Sequence, residues 1–278
     1  MKFAYSSNLF KPRPLLEAVE NIAKAGFQAI ELIGDRPHAF PADLTAVEIT
    51  SLNQALEQHK ITACNLNSSW MTVVDEPDNP SWIEEDWKRR EKRIRHTLDC
   101  LRLAAAVGIP HVSTIGGGPI PPTMNWNDGF RLFVANLHRV LPLATKLGVK
   151  LLVQPQPDML IQTTEHALAL LKELEFNEFL KINFDVAHFF CISDDPREAW
   201  TKLKNHVAHV HLDDAPADRA YRHLQLGEGV VDIPGFLTCL NESGYEGYVS
   251  ITVDTYDHMV DEVVMKSADY LRSHGFLE

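Results

Sequence analysis

Cysteine is scarce and scattered in this sequence. The four thiols, Cys64, Cys100, Cys191 and Cys239, form no C-x-x-C pair and no closely spaced framework. That excludes a disulfide-stapled small domain, and it predicts reduced, buried thiols in a cytoplasmic protein. Basic residues are also short: 26 Lys and Arg stand against 38 Asp and Glu, a formal charge of −12. Nucleic-acid binders displace counterions with a basic surface, so no nucleic-acid partner is expected. No apolar run approaches the roughly 18 residues of a membrane span. The opening Met1-Lys2-Phe3-Ala4-Tyr5-Ser6-Ser7 lacks the apolar centre of a signal peptide, so no membrane partner is expected either. A dinucleotide fingerprint is missing too. The first strand candidate runs into Lys11-Pro12-Arg13-Pro14, which cannot form a G-x-G-x-x-G turn.

What is present is regular alternation over 278 residues of ordinary globular composition, 45% hydrophobic and 23% charged. Short apolar runs predict strands over 2–8, 29–34, 61–67, 111–115, 150–154, 180–184, 207–212 and 248–253. Amphipathic runs predict helices over 15–25, 43–59, 82–107, 128–147, 164–174, 196–203, 233–242 and 257–274. Several stop on glycine, as at Gly26, Gly108 and Gly148. Strands alternating with helices imply βαβ units and a parallel sheet, and eight such units close into a (β/α)8 TIM barrel. Composition does not shift along the chain, so residues 1–278 read as one TIM-barrel domain. The longest irregular stretches, 71–81 and 215–231, both follow strands, where lids and binding loops occur.

A barrel of this kind carries its site at the C-terminal ends of the strands. Those ends supply Glu31, Gln154, Asp185 with His188, then His209, His211 and Asp213, and Asp254. The period-2 rule puts His209, His211 and Asp213 on one strand face. If that face is the interior, Asp185, His211 and Asp254 converge from three neighbouring strands. Inward carboxylates repel unless a cation sits between them, and mixed oxygen and nitrogen donors suit one divalent metal: Mn²⁺, Mg²⁺, Co²⁺ or Zn²⁺. Each residue has a plainer use. A lone strand histidine is commonly a hydrogen-bonded core residue, Asp213 and Asp254 can cap helices, and Glu31 can tie strands together. The case rests on their coincidence. After strand seven, His223-Leu224-Gln225-Leu226-Gly227-Glu228-Gly229-Val230-Val231-Asp232 pairs glycines that allow close backbone approach, and Asp232 can cap the next helix.

These residues resemble the xylose isomerase-like TIM-barrel family, the sugar phosphate isomerases and epimerases and their relatives. The resemblance covers nearly the whole chain. It is carried by Asp185-x-x-His188, by His209-Val210-His211-Leu212-x-Asp214, by Gly227-Glu228-Gly229-x-x-Asp232, and by Gly244-Tyr245-Glu246-Gly247-Tyr248. It implies a divalent metal held by residues of strands five to eight: Gln154, Asp185, His211 and Asp254. Relatives carry Glu at the first and last of these positions. Gln154 can offer an amide oxygen but cannot serve as a base, so one of two proton carriers is absent.

The resemblance implies proton abstraction beside a carbonyl through an enediolate, on a small sugar or polyol. Asp254 is the expected base. His188 and Arg222 are expected to hold substrate hydroxyls or the developing oxyanion. Glu31 and Trp70 join the substrate-binding set, Glu31 also as a support for the metal shell. With one base missing, three readings stand: one-base chemistry as in a lyase or dehydratase, a substitute carboxylate such as Asp158, or ligand binding without turnover. A DNA-repair endonuclease of the same fold needs more His and Glu ligands than strand three offers with Cys64, Asn65 and Asn67. Gly116-Gly117-Gly118 is a candidate anion loop, and Trp126 and Tyr256 are candidate stacking partners for a sugar. A homo-oligomer is compatible with the sequence.

Overall fold

A computed structural model describes residues 1–71 and 78–278. The stretch expected at 71–81 therefore falls partly outside the described residues. Eight parallel strands close into a barrel in sequence order: β1 (Lys2–Ser6), β2 (Ala29–Ile33), β3 (Thr62–Asn67), β4 (His111–Ile115), β5 (Lys150–Gln154), β6 (Leu180–Asp185), β7 (Val207–Leu212) and β8 (Tyr248–Ile251). β1 closes onto β8 with Lys2 opposite Tyr248. The outer layer contains α1 (Leu15–Lys24), α2 (Ala46–His59), α3 (Trp87–Val107), α4 (Trp126–Leu147), α5 (Thr164–Glu173), α6 (Val186–Cys191), α7 (Pro196–Leu203), α8 (Ile233–Glu242) and α9 (Val260–Ser273). No helix among the described residues is long and apolar enough to cross a membrane.

The differences from the sequence pattern are local. Helix α2 begins at Ala46 because Thr45 and Glu48 form a reciprocal capping box. Helix α3 begins at Trp87, capped by Asp86, while Trp82 turns inward and donates its indole N–H to Thr114 Oγ1 at 2.9 Å. Helix α6 was not expected. Asp185 ends β6 and caps it in the same residue, its Oδ1 accepting the His188 backbone N–H at 3.0 Å. This immediate strand-to-helix turn fixes His188 beside Asp185.

The main apolar core lies between strands and helices, where residues such as Ile30, Leu32, Leu151, Val153, Phe184, Val210 and Leu212 are buried. The barrel interior is different. Its apolar cluster is small, Ala4, Ala29 and Cys64 against Tyr248. Above it the strands turn polar residues inward: Ser6, Glu31, Asn65, Ser113, Asn183, His209, His211 and Ser250, all buried. Buried polar groups must find partners. Here they bond one another from strand to strand, and the top of that network is the floor of the site.

Candidate active site

His211 is the centre of the floor. Its Nε2–H donates to Glu31 Oε2 at 2.7 Å, and its Nδ1 faces Asp185 Oδ2 at 3.5 Å. The register puts Asp185 directly beside His211 on adjacent strands. Glu31 is 0% exposed and is held by Ser6 Oγ at 3.0 Å and Asn65 Nδ2 at 2.8 Å. It also lies 3.1 Å from His209 Nε2. Both histidines therefore face the interior. Glu31 does not line the cavity, so the expectation that it binds substrate is corrected. Its carboxylate stands behind His211 and orients the ring, the arrangement that supports a metal-binding imidazole.

Asp185 gathers the other groups. Gln154 Nε2 lies 3.0 Å from its Oδ2, and His188 Nε2 lies 3.3 Å from the same oxygen. His188 Nδ1–H donates to Pro155 O at 3.0 Å, so Nε2 carries the lone pair and faces the cavity. Opposite stands His223, whose Nδ1–H donates to the buried Asp213. The rings of His188 and His223 meet edge-to-face at 5.4 Å.

Two connected chambers open above this floor. The inner one, about 30 Å³, is bounded by Gln154, His188, His211, Asp254, Trp70 and Tyr221 among others. That is room for about one water or ion. The outer one, about 240 Å³, shares Trp70, Gln156, Tyr221, His223 and Asp254 with it and adds Asp78, Arg222 and Thr255.

Charge and burial set the protonation of the floor. Burial works against charge on Asp185, yet His188, His211 and His223 offset it and hold its carboxyl well below the usual range. Burial also opposes charge on His211, but Glu31 and Asp185 push its pKa up to about 10. Burial pulls His188 down to about 4, so its ring is neutral at pH 7. Burial raises Asp254, which faces the cavity with a buried Oδ1 that has no hydrogen-bond partner among the described residues.

The residues fit a divalent ion. Ligand atoms roughly 2.1 Å from one ion stand about 3.0–3.5 Å apart. Asp185 Oδ2 meets His211 Nδ1 and His188 Nε2 at such separations, 3.5 and 3.3 Å. The His188 Nε2 and Asp254 Oδ1 atoms are buried without hydrogen-bond partners among the described residues. Two groups of acidic and imidazole donors are close enough to share an ion: Glu31 with His209 and His211, and Asp185 with His188 and His223. Asp254 joins neither. Gln154 turns its amide nitrogen, not its oxygen, toward Asp185; a half-turn of the amide would present the oxygen. Gln154→Glu is expected to raise Mn²⁺ affinity at least tenfold by calorimetry. It should also lower the melting temperature of the ion-free protein, because it sets a second carboxylate beside Asp185. Weaker Mn²⁺ binding would put residue 154 outside the ion's ligands.

Several expected residues stand elsewhere. Arg222 reaches only the outer chamber, and its guanidinium donates to Asp218 Oδ2 at 3.2 Å. Asp158 is exposed, with a left-handed φ of 64°, and lines neither chamber, so it cannot replace the missing base. Trp126 donates to Leu160 O at 2.9 Å and stacks on Phe130. Tyr256 donates to Glu228 Oε2 at 2.7 Å. Neither lines the chambers. Gly116 meets neighbouring backbone, where a Cβ would lie 2.3 Å from Ile161 O, so that turn serves packing.

Other site residues were not foreseen. Tyr221, Gln156, Asn8, Asn67 and Thr252 line the inner chamber, and His223 was noted only as part of a glycine motif. The loop that carries Tyr221 and His223 is organised by Asp214. Its buried carboxylate accepts the backbone N–H of Ala215, Gly227, Gly229 and Val231 at 2.9–3.0 Å. Gly229 is required there, since a Cβ would lie 2.3 Å from Ala215 O.

The fold is a (β/α)8 barrel whose mouth carries a small polar chamber at the C-terminal ends of the strands. The chain belongs to the xylose isomerase-like TIM barrel family, whose model matches residues 19–274. It is 22% identical to fructoselysine 3-epimerase of Escherichia coli O157:H7, over 87% of this chain and 86% of that protein. It is 24% identical to 2-oxo-tetronate isomerase of Haemophilus influenzae, over 89% of this chain and 91% of that one. The crystal structure of IOLI protein with a binding zinc atom superposes with a TM-score of 0.81 at 16% identity, covering 99% of this chain and 98% of that one. At that identity the likeness shows the fold alone.

Proposed function

We propose that this protein is a divalent-metal-dependent isomerase or epimerase of a small sugar or polyol. The observation that carries the reading is the buried Oδ1 of Asp254, without a hydrogen-bond partner among the described residues, on the same chamber as His188 and His211, both of which stand against Asp185. Asp185 and His211 would hold the ion, with Gln154 through its amide oxygen and Asp254 at the chamber wall. An ion there would polarise a carbonyl and its neighbouring hydroxyl and so acidify the C–H of the hydroxyl-bearing carbon.

Asp254 accepts that proton. Its burial raises the basicity of the carboxylate toward working pH. His188, neutral and with its lone pair on Nε2, accepts a hydrogen bond from a substrate hydroxyl. Trp70 walls both chambers, and the Lys11 ammonium lies 3.6 Å over its ring. Glu31 keeps His211 in place. The amide at Gln154 cannot take up a proton, so the chemistry runs on a single carboxylate base. That favours moving a proton between neighbouring carbons, or eliminating water as a lyase does, over two-base inversion of one centre. The site draws on strands around the whole barrel, in keeping with one domain over 1–278. The scattered free cysteines suit a cytoplasmic enzyme of carbohydrate metabolism.

The test is deuterium wash-in. Protein loaded in turn with Mn²⁺, Mg²⁺, Co²⁺ and Zn²⁺ is incubated in D₂O with a panel of four- to six-carbon ketoses and followed by NMR. Deuterium is expected at the carbon beside the carbonyl, together with about one bound ion per chain. A protein that binds none of these ions and exchanges no proton would overturn the reading.

A further inference from the structure

An aromatic side chain at the mouth offers its hydroxyl to the chambers. Tyr221 lies on the loop between β7 and α8, with its ring edge-to-face on His188 at 5.0 Å and on His223 at 5.1 Å. The residue is nonetheless 43% exposed, and it lines both chambers.

The ring has little freedom. Asp213 holds His223 behind it. Asp214 and Leu224 exchange two backbone hydrogen bonds of 3.1 and 2.8 Å, closing the base of the loop. Asp218 accepts the Ala220 N–H at 3.0 Å just before Tyr221. Together with the four amides gathered by Asp214, these bonds fix a phenol in advance at the passage between the chambers. Such preorganisation lowers the entropy lost on binding a ligand and suits a group aimed at developing charge.

Negative charge does develop there if the proposed reaction runs, and the inference rests on that reading. We infer that Tyr221 is a further catalytic residue, whose O–H donates a hydrogen bond to a substrate oxygen on which charge collects. The balance is simple. The proton leaves carbon for Asp254, the C–H electron pair moves into the enediolate, and the phenol keeps its own proton. A tyrosine phenol, with an ordinary pKa of about 10, keeps its proton at neutral pH and so remains a donor.

The experiment compares Tyr221→Phe with the unchanged protein, both loaded with Mn²⁺. Tyr221→Phe keeps the ring and both histidine contacts and removes only the donor. The probe is glycolohydroxamate, a small planar anion with the shape and charge of an enediolate, titrated by calorimetry. The variant is expected to bind Mn²⁺ within about twofold of the unchanged protein and the hydroxamate about 10- to 100-fold more weakly. Deuterium wash-in should fall by a similar or larger factor. Equal hydroxamate affinity in the two proteins would overturn the role of Tyr221 and leave the proposed function standing. If the unchanged protein neither binds the hydroxamate nor exchanges a proton, the proposed function fails, and the inference fails with it.

Discussion

Asp254→Asn protein should lose at least about 1,000-fold of its proton exchange into ketoses while still binding Mn²⁺. The expectation follows from position. Asp254 lies beyond the end of β8, lines both chambers, and belongs to neither of the close donor groups. Its Oδ1 is buried without a hydrogen-bond partner among the described residues, and burial raises its pKa. A carboxylate so placed is suited to accept a proton. Asparagine keeps the shape and removes the lone pair that takes it. General-base removal alone accounts for about 100- to 10,000-fold, and among the described residues no other carboxylate lines the inner chamber. The two readouts separate the roles. Lost exchange with Mn²⁺ affinity within about threefold marks Asp254 as the base. A parallel fall of 100-fold in Mn²⁺ affinity would instead make it principally a ligand.

Asp185→Asn protein should bind Mn²⁺ at least about 100-fold more weakly than the unchanged protein. Asp185 is central to the floor, within 3.5 Å of Gln154, His188 and His211 atoms at once. Asparagine can still cap α6 through its carbonyl oxygen, so the fold is expected to survive, which circular dichroism and a cooperative melt would confirm. What is lost is a full negative charge in a dry site, where charge is worth far more than in water. His211→Ala should act alike. Glu31→Gln should weaken Mn²⁺ by a smaller factor, about 10- to 100-fold, because it takes the charge off the acceptor that orients His211 without touching the ion. Unchanged Mn²⁺ binding in both Asp185→Asn and His211→Ala would place the ion elsewhere.

The roles of individual residues were unevenly readable. Asp185, His188 and His211 could be found from their strand ends because spacing along a strand maps directly onto side-chain direction. Gln154 could be recognised as a departure because its position on the strand is equally determined. Glu31 was expected both to bind substrate and to support the metal shell, and the strand end alone could not separate the two. Its strand end says that it points inward, while only the stagger of β2 against β7 across the barrel shows that it ends behind His211. Arg222 and Tyr221 are adjacent in sequence, yet one turns to Asp218 and the other enters the mouth. Loop residues have no period, so nothing local distinguishes them. Their directions are set by Asp214, whose partners come from as far as Val231.

By itself, then, the sequence determined the eight-fold alternation, the closure of the barrel, and which strand ends are polar. Those properties follow from the 3.6 and 2.0 periods of side-chain direction, which are local. Closing the ring brought together residues as far apart as Glu31 and His211, 180 positions along the chain. It also set Asp254 on the chamber wall, turned Asp158 away, and placed Tyr221 between the chambers. These outcomes depend on strand stagger and on loops anchored by distant backbone amides. Tertiary structure alone decides them, because the contacts that fix them have no expression in neighbouring residues.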